Sequence, residues 1–324
     1  MDKSLSKFLD ESKFKIGKTD LPTQSYISTG SLVLDFVMGR GIPFGKILEV
    51  YGAPSCGKTL IALNTAAQLT QNKRYVLYCA VENDFDTQES YKWLEAIGVD
   101  TDYFIRVPPS PAEELIDHTV EFLDKSRGQF DIGLMVVDSI GAVCSGKALN
   151  KKADEKTVAE EARLIRKWLN QLINVMGNTS IIMNNHEIAK IGSYMGGKTT
   201  KGGSAPEYFS SIRLQVKGSK VLDPRGELYG VLRQEMIVNC TKNKISTPGR
   251  VGSLIFDFET MRYDQAAELV QLGVRVGVIQ KEAAMYKFSI SGEDHKVKGK
   301  DNLAEMLKEN EHLFQELQKL VFNS

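Results

Sequence analysis

Cysteine is scarce: Cys56, Cys79, Cys144 and Cys240 stand far apart in 324 residues, with no C-x-x-C pair. That spacing supports neither a disulfide framework nor a cysteine zinc site. Three of the four lie in or beside apolar runs, the pattern of buried free thiols in a reducing compartment. Net charge is also missing, since 41 Lys and Arg balance 41 Asp and Glu. No global field therefore draws the chain to nucleic acid or membrane, and a polyanion must be held by local patches. No stretch approaches ~18 apolar residues, and the opening Met1-Asp2-Lys3-Ser4 starts no apolar signal core. The expectation is a cytoplasmic protein without a membrane partner. Internal repeats and low-complexity tracts are absent too, and the length suits one large α/β domain with a small appendage.

What is present is a succession of short apolar runs spaced by helical periods: Ile47–Val50, Tyr75–Ala80, Leu134–Val137, Ser180–Met183 and Ile212–Val216. Runs of this kind predict a mostly parallel central sheet with helices on both faces. After Gly218 the pattern alternates, at Glu235–Asn239 and Ser253–Phe258, which predicts an antiparallel extension at one edge. From Tyr263 the chain turns helical at Gln265–Leu272, forms a hairpin around Ser291-Gly292-Glu293-Asp294, and ends in a helix over Asn302–Leu320. This reads as a small C-terminal α/β lobe. The polar first 25 residues carry one helical pattern, Leu5–Leu9, and are too few to hold a core, so they must pack on the body or a neighbour.

The run Ile47–Val50 leads into Gly52-Ala53-Pro54-Ser55-Cys56-Gly57-Lys58-Thr59, a complete G-x-x-x-x-G-K-[ST] phosphate loop. Phosphate binding needs successive backbone N–H groups aimed at one anion, and glycine lets the chain curl tightly enough. Lys58 would reach the β- and γ-phosphates and the Thr59 hydroxyl would join a Mg²⁺ shell. The amphipathic pattern Leu60–Leu69 supplies a helix whose N-terminus favours the anion. Leu134–Ser139 is an apolar strand ending in Asp138, a second candidate for holding Mg²⁺ through water; a helix N-cap is the other reading of that aspartate. Tyr75–Glu82 ends likewise in an acid, and Glu82 reads either as a base for water attack or as a solvated loop residue.

Ser28-Thr29-Gly30-Ser31-Leu32-Val33-Leu34-Asp35, the phosphate loop, Val136-Val137-Asp138-Ser139, Asn178-Thr179, Gly202-Gly203 and Lys242-Asn243-Lys244-Ile245 occur in this order. In that combination the chain resembles the RecA family of DNA strand-exchange recombinases, in its bacterial and bacteriophage branch. The resemblance runs from about Ile27 to the C-terminus. It implies a RecA-type ATPase core at 26–262, an N-terminal oligomerisation segment at 1–25 and a small C-terminal domain at 263–324. ATP and Mg²⁺ are the implied cofactors.

The same resemblance assigns roles. Glu82 would activate the attacking water, and His186, in Met183-Asn184-Asn185-His186, would sense the γ-phosphate where bacterial relatives carry glutamine. Histidine there adds a protonation near neutral pH. Lys242 and Lys244 would reach the γ-phosphate of an adjacent subunit; a K-x-K on a strand puts both ammonium groups on one face, though lysines also guard sheet edges. Asp86, Tyr91 and Phe258 are adenine-pocket candidates, with core packing as the alternative for the aromatics. A first DNA loop would carry Lys147, Lys151, Lys152 and Lys156, followed on the next helix by Arg163. A second would run through Lys190, Met195, Gly196, Gly197, Lys198, Thr199, Thr200, Lys201, Gly202 and Gly203. Lysines suit phosphates and Met195 suits a wedge between nucleotide steps. Lys296, Lys298 and Lys300 would capture duplex, or form a solvated turn.

The implied activity is ATP-dependent filament formation on single-stranded DNA, pairing with homologous double-stranded DNA, and strand exchange. A recombination mediator or a single-strand-binding protein would be a further partner. Two rivals stand beside it: a ring ATPase or helicase on the same fold, and a single-strand-binding filament protein that does not exchange strands.

Overall fold

A computed structural model describes residues 23–81, 85–143, 155–189 and 198–323. In chain order these form β1 (Tyr26–Ile27), α1 (Leu32–Met38), β2 (Ile42–Pro43), β3 (Ile47–Gly52), α2 (Lys58–Thr70), β4 (Tyr75–Ala80), α3 (Gln88–Ile97) and β5 (Phe104–Val107). Then come α4 (Ala112–Ser126), β6 (Ile132–Asp138), α5 (Glu155–Val175), β7 (Ser180–Ala189), β8 (Lys198–Thr200), α6 (Ala205–Phe209) and β9 (Ile212–Leu222). The remainder is β10 (Val231–Asn243), β11 (Val251–Asp257), β12 (Arg262–Tyr263), α7 (Gln265–Arg275), β13 (Gln280–Glu282), β14 (Met285–Ile290), β15 (Glu293–Lys298), α8 (Lys300–Glu309) and α9 (Glu311–Asn323).

The main sheet runs β12-β11-β10-β9-β3-β7-β6-β4-β5, with β8 paired to β7. From β9 to β5 every pairing is parallel; β10, β11 and β12 add on antiparallel. The physical reason is visible in burial. Every residue of β3 and β6 is buried, as strands covered on both faces must be. β11 instead alternates exposed and buried, as a strand with one wet face does. Two apolar clusters flank the sheet: Val50, Leu63, Tyr78, Val136 and Ile182 on the α2 side, and Leu77, Met135, Trp168, Leu172 and Met183 on the α4–α5 side.

The first cluster continues without a break through Leu269, Leu303, Leu317 and Val321, so the C-terminal helices share the core of the main sheet. Where the sequence pattern reads one helix over Asn302–Leu320, the chain forms two. Asn310 ends the first and caps the second, accepting the Leu313 N–H on Oδ1 at 3.0 Å. The hairpin turns at Ser291 and Gly292, both at positive φ (53° and 87°), which a tight two-residue connection between β14 and β15 requires.

The Ser28–Asp35 motif is a structural knot. Ser31 caps α1, its Oγ accepting the Leu34 N–H, while the same hydroxyl donates to Glu268 of α7 at 2.9 Å. Asp35 accepts from the Ser28 hydroxyl, the Thr29 hydroxyl and the Thr29 N–H. Burial pushes the Glu268 carboxyl up to about 8, with nearby Asp35 adding to the rise, and burial likewise raises Asp35 to about 6. A carboxyl raised in the folded state stabilises fully below its unfolded value, 4.5 for glutamate, and loses that contribution as pH climbs toward 8. Glu268→Gln keeps the acceptor oxygen without the charge. It should melt above the parent protein at pH 8, by an amount equivalent to a few kcal/mol at most, on the order of the raised pKa. The difference should vanish near pH 4.5; thermal melts across that range check it, and parallel pH profiles would contradict it.

Candidate nucleotide site and its links

The phosphate loop joins β3 to α2, so the buried strand fixes its entry and the helix N-terminus its exit. Gly57 sits in the left-handed region at φ 102°, and a Cβ there would lie 2.3 Å from the Met236 sulfur of β10. At Gly52 a Cβ would fall 2.2 Å from the Val216 carbonyl oxygen. The two glycines are thus required by the strands beneath the loop as well as by its curl. Ala53, Pro54 and Ser55 are exposed at the rim and Cys56 is buried under it. Lys58 is buried, and its ammonium donates to the loop carbonyls of Ala53 at 2.8 Å and Gly52 at 3.4 Å.

Thr59 and Asp138, the two Mg²⁺ candidates, meet: the threonine hydroxyl donates to Asp138 Oδ2 at 2.7 Å, and Tyr78 donates to the same oxygen at 2.8 Å. Asp138 therefore turns toward the loop helix, while Ser139 occupies the N-cap position of the turn Ile140–Ala142. A hydroxyl and a carboxylate are hard oxygen donors, and Mg²⁺ characteristically takes one or two such groups, keeps several waters and uses substrate phosphates. Among the described residues no group of three or more His, Cys, Asp or Glu gathers into an all-protein metal cage. The donor set fits Mg²⁺ with a nucleotide.

The opposite face of the same strands carries a buried ionic network. Glu49 of β3 is fully buried; Arg213 of β9 donates to it at 2.6 Å and Asn185 of β7 at 2.9 Å. Asn185 also donates to the Lys201 carbonyl at 2.9 Å and accepts the His186 N–H at 2.8 Å. Arg213 stacks over Tyr51, 4.6 Å from the ring centre, and pairs with Glu207 at 3.1 Å. Lys242 donates to the carbonyls of Glu207 and Tyr208. Burial lowers its pKa, helped by the nearby cations Lys244 and Arg213.

Lys242 lies on β10 and Lys244 one residue past its end. β10 breaks register between Cys240 and Lys242 and ends at Asn243, leaving Lys244 exposed beyond the strand. The Asn243 side chain causes that turn, accepting the N–H groups of Ile245 and Ser246. The backbone of Lys244 still follows β9, its N–H donating to the Ser211 carbonyl at 2.9 Å, and its charge helps lower the Lys242 pKa.

The ends of the predicted DNA loops converge. Lys201 N–H donates to the His186 carbonyl at 3.3 Å, and its ammonium to that of Gly141 at 3.4 Å, near the start of the first loop. Thr199 and Thr200 pair with Ile188 and Glu187, Thr199 exposed and Thr200 buried. Gly202 and Gly203 lie against α5: added Cβ atoms would come within 3.0 Å of Ile165 and 3.1 Å of Ala162. Arg163 on the same helix is exposed. Glu82, Lys147, Lys151, Lys152, Lys190, Met195, Gly196 and Gly197 lie outside the described residues, as do the side chains of Lys156 and Lys198 and the segment 1–22.

Asp86 and Tyr91 come together, lining an open cleft of about 510 Å³ with Thr87, Lys92 and Glu95. Phe258 packs edge-on against Phe256, ring centres 5.2 Å apart, within its own chain. In the C-terminal sheet Lys296 and Lys298 are exposed on one face of β15, and Lys300 opens α8. Lys287 pairs across the ladder with Lys296, and its ammonium is ion-paired with Glu282. Alternation along Met285–Ile290 was its only signal in the sequence.

A phosphate loop between a buried strand and a helix, facing a threonine–aspartate pair across a mostly parallel sheet, defines a phosphate-loop nucleotide-binding α/β protein. Within that class the chain belongs to the RecA family: the model of the RecA N-terminal domain matches residues 1–261. It is similar to Protein RecA of Thermus thermophilus, 32% identical over 312 residues, covering 95% of this chain and 87% of that one. Protein RecA of Oleidesulfovibrio alaskensis is 30% identical over 302 residues, 91% of this chain and 82% of the relative. That of Mycoplasma mobile is 28% identical over 339 aligned residues, covering 100% and 97%. The chain is a RecA-type recombinase.

Removing Glu49 leaves Arg213, only 11% exposed in its side chain, with Glu207 as its remaining partner. Glu49→Ala should cost about 3 kcal/mol, near the lower end for a broken buried pair because Glu207 stays. Urea unfolding measures the loss, and adding Arg213→Met should recover much of it. Independent, additive losses would contradict the pairing.

Proposed function

We propose that this protein polymerises as a helical filament on single-stranded DNA, binds ATP with Mg²⁺ at subunit seams, and exchanges strands with homologous duplex. Division of the chain at 25/26 and 262/263 is part of this reading. The observation that carries it is the double attachment of β7. On one side β7 is hydrogen-bonded to the phosphate-loop strand, with His186 level with Gly52; on the other its Asn185 and His186 hold the peptide of Lys201, where the second DNA loop ends. Nucleotide state and DNA grip thus have a common strand through which to act.

Bound ATP supplies a γ-phosphoryl group whose transfer spreads charge over its outer oxygens. Lys58, released from the loop carbonyls, would meet that charge, as would Lys242 and Lys244 from an adjacent copy. Thr59 and Asp138 would hold the Mg²⁺ shell, and Glu82 would take the proton of the attacking water. His186 would read the phosphate and pass its presence through its own carbonyl to Lys201. Lysines of the first loop with Arg163, and the lysines, threonines, glycines and Met195 of the second, would meet single-stranded DNA, and Lys296, Lys298 and Lys300 would meet duplex. Base sequence would be read by pairing between strands, so no base code is built into the protein. No described helix is long and apolar enough to cross a membrane, and cytoplasmic placement belongs to this proposal.

Steady-state ATPase with and without single-stranded DNA, followed by a D-loop assay on the same preparation, tests the reading. DNA should stimulate turnover and ATP should be needed for pairing. Glu82→Gln should retain ATP-dependent DNA binding while turnover drops at least ~10²-fold, equivalent to about 2.7 kcal/mol of barrier. Turnover indifferent to both DNA and this substitution would overturn it.

A further inference from the structure

Asn184 is fully buried near the C-terminal end of β7, and neither its amide oxygen nor its amide nitrogen has a hydrogen-bond partner among the described residues. A dry, unbonded carboxamide costs free energy that an apolar side chain of equal size would avoid. Its neighbour Asn185 uses both amide hydrogens and its oxygen within the network at Glu49. Of these two adjacent asparagines, only Asn184 is left without partners among the described residues.

The ladder shows where it faces. Met183 pairs with Val137, and the next residues of the two strands are Asn184 and Asp138. On its other side Asn184 pairs with Val50, two residues before the phosphate loop opens at Gly52. Val50, Val136 and Ile182 all belong to the cluster on the α2 face. By the two-residue alternation of strands, Asp138 and Asn184 leave that same face, on neighbours about 4.8 Å apart. Asn184 thus flanks Asp138 on the side toward the phosphate loop. Tyr78 and Thr59 already occupy Asp138 Oδ2.

We propose that Asn184 is a positioning residue for the divalent cation: its amide oxygen accepts from a water of the cation's shell, and its NH₂ group steadies Asp138. The proposal rests on the nucleotide site described above. Mg²⁺ keeps several waters, and these need acceptors inside a buried site. Partners in the outer shell of a metal typically change its affinity 10- to 100-fold. A carboxamide suits this place because it both accepts from water and donates to a carboxylate without adding charge.

The test uses the full chain with Mn²⁺ and a non-hydrolysable ATP analogue, reading free Mn²⁺ by electron paramagnetic resonance alongside thermal melts. In Asn184→Leu, Mn²⁺ binding in the presence of the analogue should weaken at least tenfold. The cation-free protein should melt at or above the parent temperature, because an unmet amide is gone. Asn184→Asp should melt lower without cation, recover on adding Mn²⁺ with the analogue, and bind Mn²⁺ at least as tightly as the parent. Unchanged Mn²⁺ affinity in the leucine variant would overturn the proposal and leave the amide as the holder of an internal water. So would an aspartate variant that Mn²⁺ fails to rescue. A parent protein that binds no Mn²⁺ with the analogue would overturn the nucleotide-site reading as well, a separate and recognisable result.

Discussion

A carboxylate with no access to water sits in the middle of the main sheet, and the arrangement around it depends on how that charge is met. Glu49 is answered by one guanidinium and one amide, from strands on either side. Removing an ion from water is expensive, so the pair is favourable only when its geometry is held and its remaining hydrogen-bonding atoms are met. Arg213 is held by stacking on Tyr51 and by Glu207; Asn185 by the peptides of His186 and Lys201. The charge thereby sets the relative positions of β3, β7 and β9. Those three strands seat the phosphate loop, the nucleotide sensor candidate and the floor formed by Val216.

The sheet separates two kinds of chemistry by its faces. Toward α2 lie Asp138, Asn184 and the start of the loop helix, all suited to a cation and phosphates. Toward the other side lie Glu49, Asn185, Arg213 and the carbonyls that hold Lys242. Strand alternation makes this division, and β7 contributes to both sides with consecutive residues. Arg213 and Glu49 raise the electrostatic stakes at the point where Lys242 is already partly desolvated.

Much of this was legible in the sequence. The parallel centre and the antiparallel edge followed from continuous against alternating apolar runs, and burial explains why that distinction works. Thr59 and Asp138 were found because a phosphate loop constrains its own surroundings; they meet at 2.7 Å. The links between them were hidden by distance along the chain. Glu49 and Arg213 are 164 positions apart, and Ser31 and Glu268 are 237 apart, with no local pattern to announce either pair. The Ser28–Asp35 motif was visible as a family mark, whereas its work as a cap tied to α7 needed the fold. The turn that follows β10 is made by the Asn243 side chain, which accepts the N–H groups of Ile245 and Ser246. Asn310 carried a readable signal, a capping residue before Glu311, that helical periodicity alone passes over.

Met236 and Lys242 lie on one strand, the first pressed beneath Gly57 and the second at the outer end of β10. The six steps of chain between them span about 20 Å, with a register break between Cys240 and Lys242 near the outer end. Under the filament reading, each subunit thus offers one strand whose inner end supports its own nucleotide loop while the outer end reaches toward a neighbour's. Successive sites along the polymer would then be coupled in series, through the strand and the Met236 and Lys242 side chains at its two ends.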